Sequence, residues 1–263
     1  MKFKFFIIIL ISIFLVLVIL FMFKNYNLKK NRADVKIPVL LYHDFLTTIP
    51  NTDPDNFNYI NTPQSFEENI KTLLENGYSF ISMQELYDAN SGKISLPEKP
   101  ILITLDDGYY SNYEYVYPIL KKYNVKASIY VVTDKVRTEE NGKKYLSWEN
   151  CSEMQNSGLV EIYSHSKRHL FYDRFPAWVV RDDVAESYKI IEQKLGKKNF
   201  KVIVYPYGAY TKDAVRALKL IGIDMQIYDI GVNQFKNFNK DYIKETKRSL
   251  WSDWKRNYRG DRK

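Results

Sequence analysis

The chain is poor in residues that cross-link and in residues that bind metals. One cysteine, Cys151, stands among 263 residues, so no intrachain disulfide exists and the fold rests on its own core. Cys151 reads as a small buried hydrophobe, and no cysteine stands near the N-terminus to accept a lipid. No Ala-x-Ala pattern follows the apolar N-terminal run, which argues against a removable signal peptide. No internal repeat or low-complexity tract appears, so a repeat architecture is excluded. A basic stripe on the folded body is missing too. Residues 1–36 hold seven Lys/Arg and one Asp (+6), and residues 240–263 hold nine Lys/Arg and four Asp/Glu (+5). The total is +8, which leaves −3 for the body between them. That distribution argues against nucleic acid as a partner and suits contact of the basic ends with an anionic membrane surface. Histidine occurs three times, at His43, His165 and His169.

What is present begins with an uncharged run over residues 5–23, interrupted by a single serine. About 20 apolar residues span a bilayer core, so the expectation is an uncleaved single-pass anchor over residues 1–24 and a basic tether over 25–36. A catalytic domain then occupies 37–263. The charges flanking the anchor do not orient it. The extracellular placement of the domain at the cell membrane is inferred from the chemistry below.

After residue 36, apolar runs alternate with amphipathic segments. Strands are predicted at Val39–Tyr42, Ile101–Leu105, Ala127–Val132, Leu159–Tyr163, Val202–Val204 and Met225–Tyr228. Between them the spacing predicts helices from Thr62 to Gly77, then over Asn112–Tyr123, Ser147–Ser157, Ala177–Leu195 and Thr211–Leu220. Asn51–Pro63 reads as a long loop. Repeated strand–helix units predict an α/β fold with a parallel sheet, a distorted (β/α) barrel of about seven strands. Active residues of such barrels stand at the C-terminal ends of strands. His43, Asp106-Asp107, His165 and Tyr205-Pro206-Tyr207 all follow predicted strands.

Those positions carry the candidate chemistry. His165 and His169, four apart, can chelate on a helix face or in a tight loop. Asp106-Asp107-Gly108 is turn chemistry, yet two adjacent carboxylates at a desolvated rim repel unless a cation is present. A divalent metal held by Asp107, His165 and His169 resolves that conflict and leaves positions open for water and substrate. Metals of this kind lower the pKa of water toward about 7. Asp106 would take the water's proton, and His43 suits a general acid that protonates a leaving amine. A backbone N–H in Tyr205-Pro206-Tyr207-Gly208 could polarise a carbonyl oxygen. Tyr205, Tyr207, Trp148, Trp251 and Trp254 could stack on sugar rings.

Thr-Leu-Asp-Asp-Gly-Tyr (104–109), His-Ser-Lys-Arg-His (165–169) and Tyr-Pro-Tyr-Gly (205–208) occur in an order that resembles the polysaccharide deacetylases of carbohydrate esterase family 4, the NodB-homology domain. The resemblance covers about residues 37–250. It implies a distorted (β/α) barrel, a divalent metal (zinc first, cobalt or nickel as alternatives) and removal of acetyl groups from sugars. It also implies Asp106 as the base, Asp107, His165 and His169 as ligands, and the Tyr207 amide as the oxyanion donor. Two departures narrow it. Val204 stands where the family usually has an arginine, and no histidine follows His169. Both resemble the poly-β-1,6-N-acetylglucosamine deacetylase branch, whose acid histidine comes early, as His43 does in Pro38–His43. The expectation is N-deacetylation of an N-acetylglucosamine polysaccharide, with a peptidoglycan or chitin-oligomer deacetylase as the alternative. An inert glycan-binding protein on the same scaffold is the reading from another class.

Overall fold

Alternation along the strands decides which side chains meet. A computed structural model of the chain describes residues 13–21, 37–48, 60–227, 229–230 and 247–248. It divides into two units, residues 1–35 and 36–263. In the first unit, residues 13–21 are helical (α1) with apolar side chains mostly exposed. The rest of the expected 5–23 anchor lies outside the described residues. Among the described residues, no helix is long and apolar enough to cross a membrane.

The second unit opens with β1 (Val39–Tyr42), β2 (Asp44–Phe45) and β3 (Ile60–Asn61). Next come α2 (Pro63–Glu75), β4 (Ser79–Phe80), α3 (Met83–Asn90) and β5 (Pro100–Leu105). A π-helical turn (Asn112–Val116) runs directly into α4 (Tyr117–Tyr123), and β6 (Ala127–Val131) follows. The hairpin β7–β8 (Glu139–Glu140, Lys143–Lys144) precedes α5 (Trp148–Asn156) and β9 (Val160–Ser164). Then come α6 (Ala177–Leu195), β10 (Val202–Val204), α7 (Lys212–Leu220) and β11 (Met225–Ile227). Short strands β12 (Asp229–Ile230) and β13 (Lys247–Arg248) pair with each other, and β13 lies beside β1.

The principal sheet is parallel throughout and curls into a half-barrel, in the order β1-β5-β6-β9-β10-β11, with β4 pairing the start of β5. Its length and direction agree with the expected (β/α) architecture. The six strands predicted from the sequence are present within a residue or two of their expected bounds. Several short pieces differ. Ile60–Asn61, expected as loop, pairs with Asp44–Phe45, while residues 51–59 lie outside the described residues. Helix α3, strand β4, the β7–β8 hairpin and the β12–β13 pair were not anticipated.

Successive strand residues face opposite sides of a sheet. Ile101, Ile103 and Leu105 of β5, Ala127, Ile129 and Val131 of β6, and Val160 and Ile162 of β9 pack beneath the helices in the largest core cluster. The alternate set, Val39, Leu102, Tyr130, Tyr163, Val202, Val204 and Ile227, forms a second cluster on the opposite face, the barrel interior. The interior also holds a carboxylate. Glu161 accepts from the Met83 and Gln84 N–H groups (2.8 and 3.2 Å) and from the Ser128 hydroxyl (3.1 Å). An anion at a helix N-terminus meets unsatisfied N–H groups and the favourable end of the dipole. Glu161 thereby ties α3 to β9. Burial pushes its carboxyl up, against the pull of these donors.

Candidate metal and active site

The interior parity continues past the strand ends. His43 keeps the phase of Val39, Asp106 that of Leu102, and His165 that of Tyr163, so three candidate groups extend the interior face at the C-terminal mouth of the sheet. Asp106 and His165 are almost wholly buried, at 2% and 3% exposure.

Asp107 breaks the alternation because the chain turns there. Its φ is +69° and that of Gly108 +76°, the left-handed region that costs a residue with a Cβ about 1–3 kcal/mol. Gly108 is required on two counts. Its φ is positive, and a Cβ would sit 3.0 Å from Val131 Cγ1. The hairpin braces this turn, with the Tyr110 N–H donating to the Lys144 carbonyl (2.8 Å) and the Leu146 N–H to the Gly108 carbonyl (2.9 Å).

His165 is the last residue tied to β6, its N–H donating to the Val131 carbonyl (2.9 Å). Its Nδ1 lies 2.8 Å from the Val204 carbonyl. A carbonyl only accepts, so Nδ1 carries a proton, and Nε2 is the nitrogen whose lone pair a metal ion would take. That Nε2 faces Asp107 Oδ1 at 3.5 Å and Asp106 Oδ2 at 4.0 Å. His169 Nε2 approaches the same Asp107 oxygen at 3.1 Å, while its Nδ1 meets the Tyr207 hydroxyl at 3.1 Å. Burial pushes the Asp107 carboxyl up. The His169 hydrogen bond and the charges of His165, His169 and His43 outweigh that and hold it well below the usual carboxylate range.

This donor set fits a divalent cation. The ligand atoms of Asp107, His165 and His169 all lie within 4.8 Å of one another. Ligands at about 2.0–2.2 Å in a tetrahedral site stand roughly 3.3 Å apart, close to the 3.1 and 3.5 Å observed here. The imidazole nitrogens that face this carboxylate oxygen need positive charge beside them, which a bound metal ion would supply.

His43, at the end of β1, is near enough to Asp107 to act on its charge. Its carbonyl is anchored by the Asn112 side-chain amide (2.8 Å). Tyr207 stands in a tight turn at φ +59°. Its ring lies flat on Phe171 (centroids 3.7 Å, 4°) and 59% of the residue is exposed. Val204, at the position of the expected arginine, puts its side chain in the interior apolar cluster and gives its carbonyl to His165.

One expected sugar-stacking residue needs correction. Tyr205 is 1% exposed, donates its hydroxyl to Gln226 and packs with Tyr172 and Val180. It follows Val204 and therefore has the opposite parity, toward the helices. Trp148 is the first residue of α5 and packs against the large core. Trp251 and Trp254 lie outside the described residues. One unanticipated residue touches the site and another reaches the loop that carries His169. Tyr109 hydrogen-bonds Asp107; burial first, then the charge of Asp107, push its hydroxyl up, so it stays protonated as a donor. Asp183 reaches the histidine loop from α6.

Comparisons with known proteins agree on one group. The family profile described as "Polysaccharide deacetylase" matches residues 93–226, about half of the chain. The Bacillus subtilis protein YxkH, assigned to the polysaccharide deacetylases, is 29% identical over 199 residues, 75% of this chain and 66% of its own length. The poly-beta-1,6-N-acetyl-D-glucosamine N-deacetylase of Staphylococcus aureus strain N315 is 29% identical over 177 residues, 63% of this chain and 60% of its own length. The chain thus spans less than two thirds of the length of these curated relatives. Among solved structures, a de-N-acetylase from Aggregatibacter actinomycetemcomitans superposes with a TM-score of 0.70 at 27% identity, covering 82% of this chain and 95% of that one.

Proposed function

The chain belongs to the polysaccharide deacetylase family, and from that premise we propose that it removes N-acetyl groups from N-acetylglucosamine units of an extracellular polysaccharide, β-1,6-linked by preference. The observation that carries the reading is the convergence of Asp107 with the Nε2 atoms of His165 and His169, beside buried Asp106 and within the field of His43. Asp107, His165 and His169 would hold a divalent ion, with zinc expected and cobalt or nickel as substitutes. When bound, it supplies Lewis acidity toward water and the acetyl carbonyl.

The remaining work falls to the chain's own groups. Asp106, fixed on the interior face, accepts the proton of the attacking water. Tyr109, a protonated donor to Asp107, keeps that carboxylate oriented. The Tyr207 N–H donates to the oxygen that gains charge as the carbonyl becomes tetrahedral. His43 delivers a proton to the departing amine. The carbonyl of Val204 keeps His165 in the tautomer that exposes Nε2. Acetate and a glucosamine unit result, and the polymer becomes more cationic.

The β-1,6 preference draws on the name of the Staphylococcus aureus relative and on His43. Among the three histidines, it alone is left to serve as acid. The apolar run 5–23 serves in this reading as a membrane anchor, with the catalytic unit outside the cell. Parallel acetate-release assays on β-1,6-linked and β-1,4-linked N-acetylglucosamine oligomers and on isolated peptidoglycan test the substrate. Release confined to the β-1,6 series is expected. Release confined to β-1,4 glycans would replace the polymer while leaving the chemistry in place.

A further inference from the structure

We propose that Asp183 is a positioning residue for the metal-ligating loop, holding His169 in the geometry that lets it share an ion with Asp107 and His165. The proposal rests on reading those three residues as a metal site. His165 is set by β9, but His169 comes four residues later, off any strand or helix. The backbone there is unfavourable, with Ser166 at φ +78° and His169 at φ +58°. Residues in this region persist when the surrounding structure over-determines them.

The restraint comes from one carboxylate on α6. Asp183, 2% exposed, accepts from three donors of the loop. Its Oδ2 takes the Lys167 N–H (2.9 Å) and the Tyr172 hydroxyl (2.7 Å), and its Oδ1 takes the Arg168 Nε–H (2.6 Å). The donors come from both sides of His169. One turn further along α6, Ser187 meets the Ser164 hydroxyl at 2.8 Å and donates to the Ser166 carbonyl at 3.3 Å. Within the loop, the Ser166 hydroxyl accepts the His169 N–H at 2.8 Å. Only an ionised carboxylate offers two acceptor oxygens and no donor. A buried charge is costly unless paired and hydrogen-bonded, and Arg168 supplies the counter-charge. Asp183 binds the Lys167 N–H and the Arg168 and Tyr172 side chains that flank His169, so its effect on chemistry would pass through the position of His169.

The test compares the full wild-type chain with Asp183→Asn and Tyr172→Phe, each stripped of metal and titrated with Co²⁺ against a chelator. Affinity, the visible absorption of the bound ion, apoprotein melting and acetate release are recorded. Residues that orient metal ligands typically contribute 10–100-fold to affinity. Asp183→Asn should therefore bind Co²⁺ about 10–100-fold more weakly, with an altered spectrum at saturation and a kcat loss larger than any change in KM. Tyr172→Phe, which removes one of the three donors, should fall between that variant and wild type. Wild-type affinity and spectrum in Asp183→Asn, whatever its melting temperature, would make the carboxylate merely structural and overturn the proposal. If Asp183→Asn does not fold, Tyr172→Phe decides in the same way. A wild-type chain that binds no Co²⁺ overturns both this proposal and the metal reading. A wild type that binds Co²⁺ yet releases no acetate from any glycan sinks the deacetylase reading alone, and the affinity and spectral comparison still decides the role of Asp183.

Discussion

Asp106→Asn should abolish most turnover while the metal site survives. The carboxamide keeps the size and burial of the side chain on the interior face of β5 but cannot accept a water proton. General bases contribute about 10²–10⁴ in rate, so kcat should fall by that order. Cation affinity should move little, because Asp106 is not part of the Asp107–His165–His169 cluster and its Oδ2 is 4.0 Å from His165 Nε2. The informative experiment measures both quantities on one preparation. Full activity with Asn at this position removes Asp106 as base. Joint loss of activity and metal would instead make it a ligand.

His165→Ala should do the opposite, losing the metal first and activity as a consequence. The imidazole supplies Nε2 to the cluster and ties the loop to β10 through Nδ1 and the Val204 carbonyl. Groups that merely orient ligands account for 10–100-fold in affinity, so removal of a ligand should exceed about a hundredfold. The vacated interior space should also lower stability by about 1–3 kcal/mol. Circular dichroism and thermal melting must therefore accompany the metal titration. A folded His165→Ala chain that binds zinc as tightly as wild type would exclude this residue from the site.

The two substitutions probe adjacent parts of one rim, and the rim was legible because its candidate residues follow directly on predicted strands. The apolar runs ending at Tyr42, Leu105 and Tyr163 give both the strands and their phase. His43, Asp106 and His165 continue that phase into the mouth. Tyr205 shows where adjacency to a motif misleads. It follows Val204 directly, yet one step along a strand reverses the face, and its ring goes to the helix layer with Tyr172 and Val180.

What the sequence reading passed over has two origins. Helix α3 carried a local signal, since Ser82 and Glu85 form a capping box in which each side chain bonds the other's backbone N–H, a Ser-x-x-Glu pattern that marks helix starts. Asp183 carried none. It lies on an amphipathic helix among other charged residues, and only the fold brings it beneath the histidine loop, where it meets Lys167, Arg168 and Tyr172. Glu161 is similar, because its partners Met83 and Gln84 stand far away in sequence. Long-range polar pairs of this kind have no periodicity from which to read them.

The central claim is that Asp107, His165 and His169 hold an ion on which deacetylation depends. It is tested most directly by stripping the chain of metal and adding back zinc, cobalt or nickel while acetate release from β-1,6-linked N-acetylglucosamine oligomers is followed. The account predicts negligible release from the stripped protein and recovery that saturates near one ion per chain. Undiminished release after complete removal of metal would contradict it.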